Sequence, residues 1–193
     1  MKIGILIIAL ALFFTKTVTS QKKDFRLIIA GGYSTHGTGD LPGYSFLNQV
    51  DIELTKRFFI SPGIQFTNHA NTYPLTGYIL NYVTAGINVF TNINYLLLNK
   101  VHHRISIGGG PIVRFENSSV PDETGTRLDE NGNQILILKN DKLRSTSLGY
   151  NITPAYYYQC NSKMFFGARF ILQNDTKGDM ITSELFFIGV KLK

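Results

Sequence analysis

From residue 44 to residue 54 the side chains alternate in kind. Tyr44, Phe46, Val50, Ile52 and Leu54 are apolar, and Ser45, Gln49, Asp51 and Glu53 stand between them. An extended chain sends successive side chains to opposite faces, so this stretch predicts a strand with one apolar face and one polar, charged face. After Lys56 and Arg57 the alternation resumes, with Phe58, Ile60, Ile64 and Phe66 against Ser61, Gln65 and Thr67. The two segments read as a hairpin joined by a short turn.

The same rule recurs along the chain. A first strand near 24–34 contains the run Leu27-Ile28-Ile29-Ala30, which leaves its faces open. A fourth, about 77–90, sets Ile79, Val83, Ala85, Ile87 and Val89 against Tyr82, Thr84, Gly86 and Asn88. In a fifth, Ile105, Ile107, Val113 and Phe115 alternate with Arg104, Ser106, Gly108, Gly110 and Arg114. Strands six to eight are expected at about 144–159, 163–173 and 180–193, the last with Phe186, Ile188, Val190 and Leu192 on its apolar face. Segments 36–43, 68–76, 116–142 and 174–179 read as loops of 8, 9, 27 and 6 residues. The longest holds Asn131-Gly132, a strong hairpin signal, and so predicts a hairpin that prolongs strands five and six. The remaining connections read as short turns, except 91–102, whose Tyr95-Leu96-Leu97-Leu98 suggests a short helix or a strand extension.

Eight strands with alternately short and long connections predict an all-β chain, an eight-stranded antiparallel up-and-down transmembrane β-barrel with polar faces inward. Each segment suffices for the roughly 9–11 residues with which a tilted strand crosses a bilayer core. The aromatics group at strand ends, as interfacial girdles do. Phe58, Phe59, Phe90, Tyr156, Tyr157, Tyr158, Phe165 and Phe166 are expected at the periplasmic end, and Tyr44, Phe66, Tyr78, Phe115 and Phe170 at the outer end.

The start of the chain agrees with export. Lys2 precedes twelve apolar residues, 3–14, and Val18-Thr19-Ser20 supplies small residues before Gln21, the pattern of a signal peptide covering 1–20. The barrel domain is then 21–193. Loss of Lys2 and Lys16 with the signal lowers the formal charge from +6 to +4. The Lys and Arg are scattered, which with export argues against nucleic acid and for outer-membrane lipid and lipopolysaccharide as anionic partners. Cys160 is the only cysteine, so no internal disulfide can form.

The Ser20-Gln21 junction, the patterns Gly108-Gly109-Gly110-Pro111 and Thr153-Pro154-Ala155-Tyr156, and the ending Phe186-Phe187-Ile188-Gly189-Val190-Lys191-Leu192 resemble the small outer-membrane barrels of the OmpA, OmpX and OmpW kind. The resemblance spans 21–193 and implies a porin-like barrel in the cell outer membrane of a Gram-negative bacterium. Such barrels usually end on an aromatic residue, whereas this chain ends Leu192-Lys193.

The inward face is expected to carry Arg26, Asp51, Glu53, Arg104, Arg114 and Arg169. In so narrow a barrel the interior is about filled by side chains, so these six read as a paired, hydrogen-bonded lining. A path for small anions is the alternative. His36 and His69 are expected solvated on outer loops, with His102 and His103 at the opposite end. Asp129, Asn131 and Asn133 alternate as calcium ligands do, but Gln134 stands where glycine is needed, so a plain hairpin tip is expected. Gly108-Gly109-Gly110 precedes no helix and reads as wall curvature. Pro62, Pro111 and Pro154 fall mid-strand on the outward face, where a bulge would accommodate them. No catalytic, metal or cofactor site is expected. The function so implied is a non-enzymatic, structural or adhesin-like surface barrel with a partner at the 116–142 hairpin. One alternative, suggested by OmpW, is a narrow conduit for small apolar molecules lined by Leu47, Leu80, Tyr82 and Ile112. Another is a soluble lipocalin-like carrier with its faces reversed.

Overall fold

The computed structural model describes residues 25–37, 41–75, 78–128, 134–178 and 180–192. The signal segment, its cleavage site and the calcium-like hairpin tip at 129–133 lie outside these residues. Eight strands follow one another: β1 (Phe25–His36), β2 (Leu41–Glu53), β3 (Phe58–Leu75), β4 (Tyr78–Asn99), β5 (His103–Leu128), β6 (Gln134–Gln159), β7 (Met164–Asp175) and β8 (Met180–Leu192). Each pairs antiparallel with its neighbours, and β1 closes the ring on β8 from Phe25 opposite Leu192 to His36 opposite Ile181. Closure leaves the barrel wall without an open edge.

Alternation decides the faces. In β1, Arg26, Ile28, Ala30, Ser34 and His36 are buried while Phe25, Leu27, Ile29 and Tyr33 are exposed, which resolves the apolar run that the pattern left open. Around the ring the outward positions are large and apolar; Ile29, Leu97 and Phe186 are 55%, 61% and 76% exposed. Burying such a surface against hydrocarbon is favourable in proportion to its area. Strand pairing around the closed ring satisfies most of the backbone groups that a spanning sheet exposes to lipid.

Strand length divides the barrel. β1, β2, β7 and β8 have 12 or 13 residues, whereas β3, β4, β5 and β6 have 18, 22, 26 and 26. Three expected connections therefore change character. Within segments 36–43 and 68–76 the described residues other than Gly37 are strand, with His36 closing β1 and β3 running to Leu75. Segment 91–102 is also strand as far as Asn99, with Thr91, Ile93 and Leu97 exposed and Asn92, Asn94 and Leu96 buried. Its alternation was obscured because Leu96, an apolar residue, occupies an inward position. The two arms of the 116–142 hairpin pair as expected, β5 with β6, out to Leu128 opposite Gln134.

The three mid-strand prolines do not sit in bulges. Pro62 stands opposite Thr91, Pro111 opposite Tyr150 and Pro154 opposite Ile107, while on the other side of each proline the ladder skips two residues and resumes in unchanged register. A missing N–H removes bonds toward one neighbour only, so a gap suffices. The register shifts fall elsewhere, between Leu96 and Leu98 and between Glu123 and Gly125.

Candidate functional site

The lumen brings the six predicted charges inward but not into one cluster. Near the termini Arg26 and Glu53 form an ion pair, Arg104 Nη1 lies 3.4 Å from Glu53 Oε1, and the Arg26 guanidinium sits 5.3 Å over the Phe59 ring. A second group forms around Asp51, which accepts hydrogen bonds from the Gln49 amide and, at 2.7 Å, from the Ser61 hydroxyl. Arg169 donates to Gln49 from the far wall, and to the Tyr157 hydroxyl at 3.3 Å. Arg114 belongs to a third group near the hairpin end, where it pairs with Glu116. Burying an ion is expensive unless it is paired and hydrogen-bonded, and each group provides partners.

Correction is needed for two histidines. His36 and His69 are not solvated on loops, because the strands that carry them continue past the point where the apolar alternation fades. Both are buried, with ring centroids 5.5 Å apart. His69 Nε2 lies 2.9 Å from Ser34 Oγ, and His36 Nε2 lies 3.8 Å from Glu116 Oε2. His102 and His103 are exposed at the other end. Among the described residues no group of His, Cys, Asp and Glu could hold a metal ion.

Several hydrogen bonds cross the lumen between strands that are not neighbours. Asn88 Nδ2 donates to Gln173 Oε1 at 2.9 Å, Gln65 Nε2 to Ser183 Oγ at 3.1 Å, and Asn92 Nδ2 to Thr153 Oγ1 at 3.3 Å. Such bonds require opposite walls to meet through their side chains. Leu47 and Ile112, expected to line a conduit, are 0% and 2% exposed within the buried core together with Ile28, Ala30 and Leu185. Tyr82 is half-buried on β4 toward the hairpin end, and the side chain of Leu80 lies outside the described residues.

The aromatic girdle also needs revision. Phe58, Tyr156 and Phe166 face outward, but Phe59, Phe90, Tyr157 and Phe165 point into the lumen and are buried. With Phe187 they form an interior plug. The Tyr157 ring centroid lies 5.0 Å from Phe187, 6.0 Å from Phe165 and 6.5 Å from Phe59. Glycines make room for these rings. A Cβ on Gly63 would come within 2.6 Å of the Phe90 ring, and one on Gly189 would fall onto the Phe165 ring. Gly108 serves packing too, since a Cβ there would fall onto the Asn94 amide. The missed residues shared a signal: Phe59 has the strand parity of Ser61 and Gln65, His69 that of Thr67, and Glu116 that of Arg114.

At the hairpin end the barrel carries a ribbon. The β4–β5 ladder reaches Val83 opposite Ser119, and the β6–β7 ladder begins at Gly149 opposite Asp175. Beyond these points β5 and β6 pair only with each other among the described residues. Two strand edges thus present backbone N–H and C=O groups laterally.

A closed ring of eight antiparallel strands, apolar outside and filled within, is the fold of the small eight-stranded outer-membrane barrels. No protein-family model matches the chain, and no curated relative does. Among solved structures it is similar to Ail, the attachment invasion locus protein of Yersinia pestis, in complex with the heparin analogue sucrose octasulfate. The TM-score is 0.56 at 7% identity, covering 89% of this chain and 100% of that one. Neisserial surface protein A gives a TM-score of 0.53 at 12% identity, covering 89% of this chain and 98% of that one. The outer membrane protein OprG from Pseudomonas aeruginosa gives 0.52 at 8% identity, covering 88% and 95%. At such identities the likeness speaks for the fold.

Proposed function

We propose that this chain is exported through a cleaved signal peptide at 1–20, resides in the outer membrane, and acts without catalysis as a surface barrel that offers its β5–β6 ribbon to a partner. One observation carries the reading: the β5–β6 ladder continues for many residue pairs past the last contacts of β4 and β7. A ribbon with two open edges suits recognition by strand addition, in which main-chain bonds supply affinity and alternate side chains supply specificity. The filled lumen supports a structural role for Arg26, Asp51, Glu53, Arg104, Arg114 and Arg169, and the burial of Leu47 and Ile112 speaks against the conduit. The apolar exterior is the reverse of a soluble carrier. Attachment is named for Ail and enters here as a parallel. The test compares cells displaying the full chain with cells displaying a variant in which 121–140 is replaced by Asn-Gly, which joins the paired residues Val120 and Asp141. Both proteins should shift on gels after boiling. Adherence to immobilised extracellular matrix should be lost with the ribbon; equal adherence by both would sink the reading.

A further inference from the structure

On the outer wall near the hairpin end, outward side chains of four strands stand in two lateral rows. Asn68, Ala85, Asn117 and Arg144 are opposite one another on β3 to β6. One step toward the termini the row becomes Phe66, Ile87 and Phe115, continued by Thr146. Between the rows lies a hollow of about 720 Å³ lined by these residues, with the small Ala85 on its floor. It marks the line where the apolar band gives way to polar groups. At a strand spacing of about 4.8 Å the rows run roughly 14 Å across the wall, wider than one hydrocarbon chain needs.

The charges are one-sided. Arg144 is exposed, as is Lys142 two residues along the same face. The one acid in the lining, Glu116, turns into the lumen and pairs with Arg114. An occupant should therefore be anionic on its polar side, rich in hydroxyls where it meets the two amides, and apolar below. We infer that the hollow seats a phosphorylated glycolipid with several acyl chains: phosphate on Arg144, sugar against Asn68 and Asn117, chains over Phe66, Ile87 and Phe115. Arginine binds phosphate through paired, charge-assisted hydrogen bonds, and the apolar floor favours acyl chains by area. The inference rests on the proposed function in one respect, that the hairpin end faces the cell exterior and the glycolipid leaflet.

The test uses the full barrel in detergent and native mass spectrometry with three probes: diphosphoryl lipid A, monophosphoryl lipid A and dipalmitoyl phosphatidylglycerol. Diphosphoryl lipid A should bind most tightly. Arg144→Gln should weaken it by about tenfold, the scale of one charge-assisted contact, and should bring the two lipid A probes together. Ala85→Phe, which fills the hollow without changing charge, should weaken both. Lys163→Gln, an exposed cation at the opposite end, should change nothing. The inference is overturned if phosphatidylglycerol binds as tightly as diphosphoryl lipid A, if Lys163→Gln acts like Arg144→Gln, or if Ala85→Phe has no effect. A heat-modifiable barrel that ignores lipid A sinks this inference alone; a chain that folds in plain buffer without detergent sinks the membrane reading with it.

Discussion

The two ends of the lumen differ in whether aromatic rings pack among the buried charges. Toward the termini, Phe59, Tyr157, Phe165 and Phe187 meet ring against ring, with the Arg169 guanidinium 5.6 Å over Phe187. Toward the hairpin, Ser34, Gln65, His69, Asn88, Arg114 and Gln173 are buried with scarcely a ring between them beyond the two imidazoles. The contrast teaches where each end is vulnerable. The phenylalanine rings packed against glycine lose contact area when truncated, but take no hydrogen bond with them. A buried charge or amide that loses its partner keeps its full desolvation penalty.

The largest effect is expected at the polar end. Arg114→Met leaves the half-buried Glu116 without its guanidinium and should cost about 4 kcal/mol, measured by denaturant unfolding in micelles. The double variant Arg114→Met with Glu116→Leu should recover most of that loss, because no lone charge remains. A loss under about 1 kcal/mol in the single variant would mean that water reaches the pair, and the contrast between the ends would fail. At the aromatic end Phe187→Ala should cost about 3 kcal/mol. Gly167→Ala should cost about 1–3 kcal/mol by overpacking, since its Cβ would fall onto the Tyr156 carbonyl and come within 2.5 Å of the Phe187 ring. The two changes should not add, because removing the ring relieves part of the clash; strict additivity in a double-variant cycle would separate Gly167 from the plug. The smallest effect is Ser34→Ala, about 1 kcal/mol. Its hydroxyl joins His69, Ser183 and the Thr182 carbonyl within 2.9 Å, so stability unchanged within error would show that another group takes over those bonds.

Much of the fold was legible because strand parity is a local property. Tyr44, Phe46, Phe66, Phe115, Phe166 and Phe186 all face outward as the alternation implies, and the Asn131-Gly132 signal marked the β5–β6 hairpin. Strand ends were less legible. Beyond the apolar band the outward positions turn polar, so contrast between the faces fades and strand looks like loop. This is why His69 read as a loop residue although β3 continues to Leu75. The candidate site was legible as a list of inward charges, since Arg26, Asp51, Arg114 and Arg169 are all buried. Its division into three groups was not, because the register between distant strands decides which side chains share a level.

A period of two residues is set by backbone geometry alone, so the alternation specified eight strands, the outward faces of all but β1 and the inward turn of Asp51, Arg114 and Arg169. What fills the lumen follows from how the strands come together. Tyr157, Phe165 and Phe187 meet through the pairing of β6, β7 and β8, and Phe59 on β3 joins them when β1 closes on β8; in the chain they are merely apolar residues at polar-parity positions. Closure also set Arg169 on Gln49 across 120 residues of sequence. Contacts between opposite walls depend on the ring's circumference and stagger, which no single stretch of the chain contains.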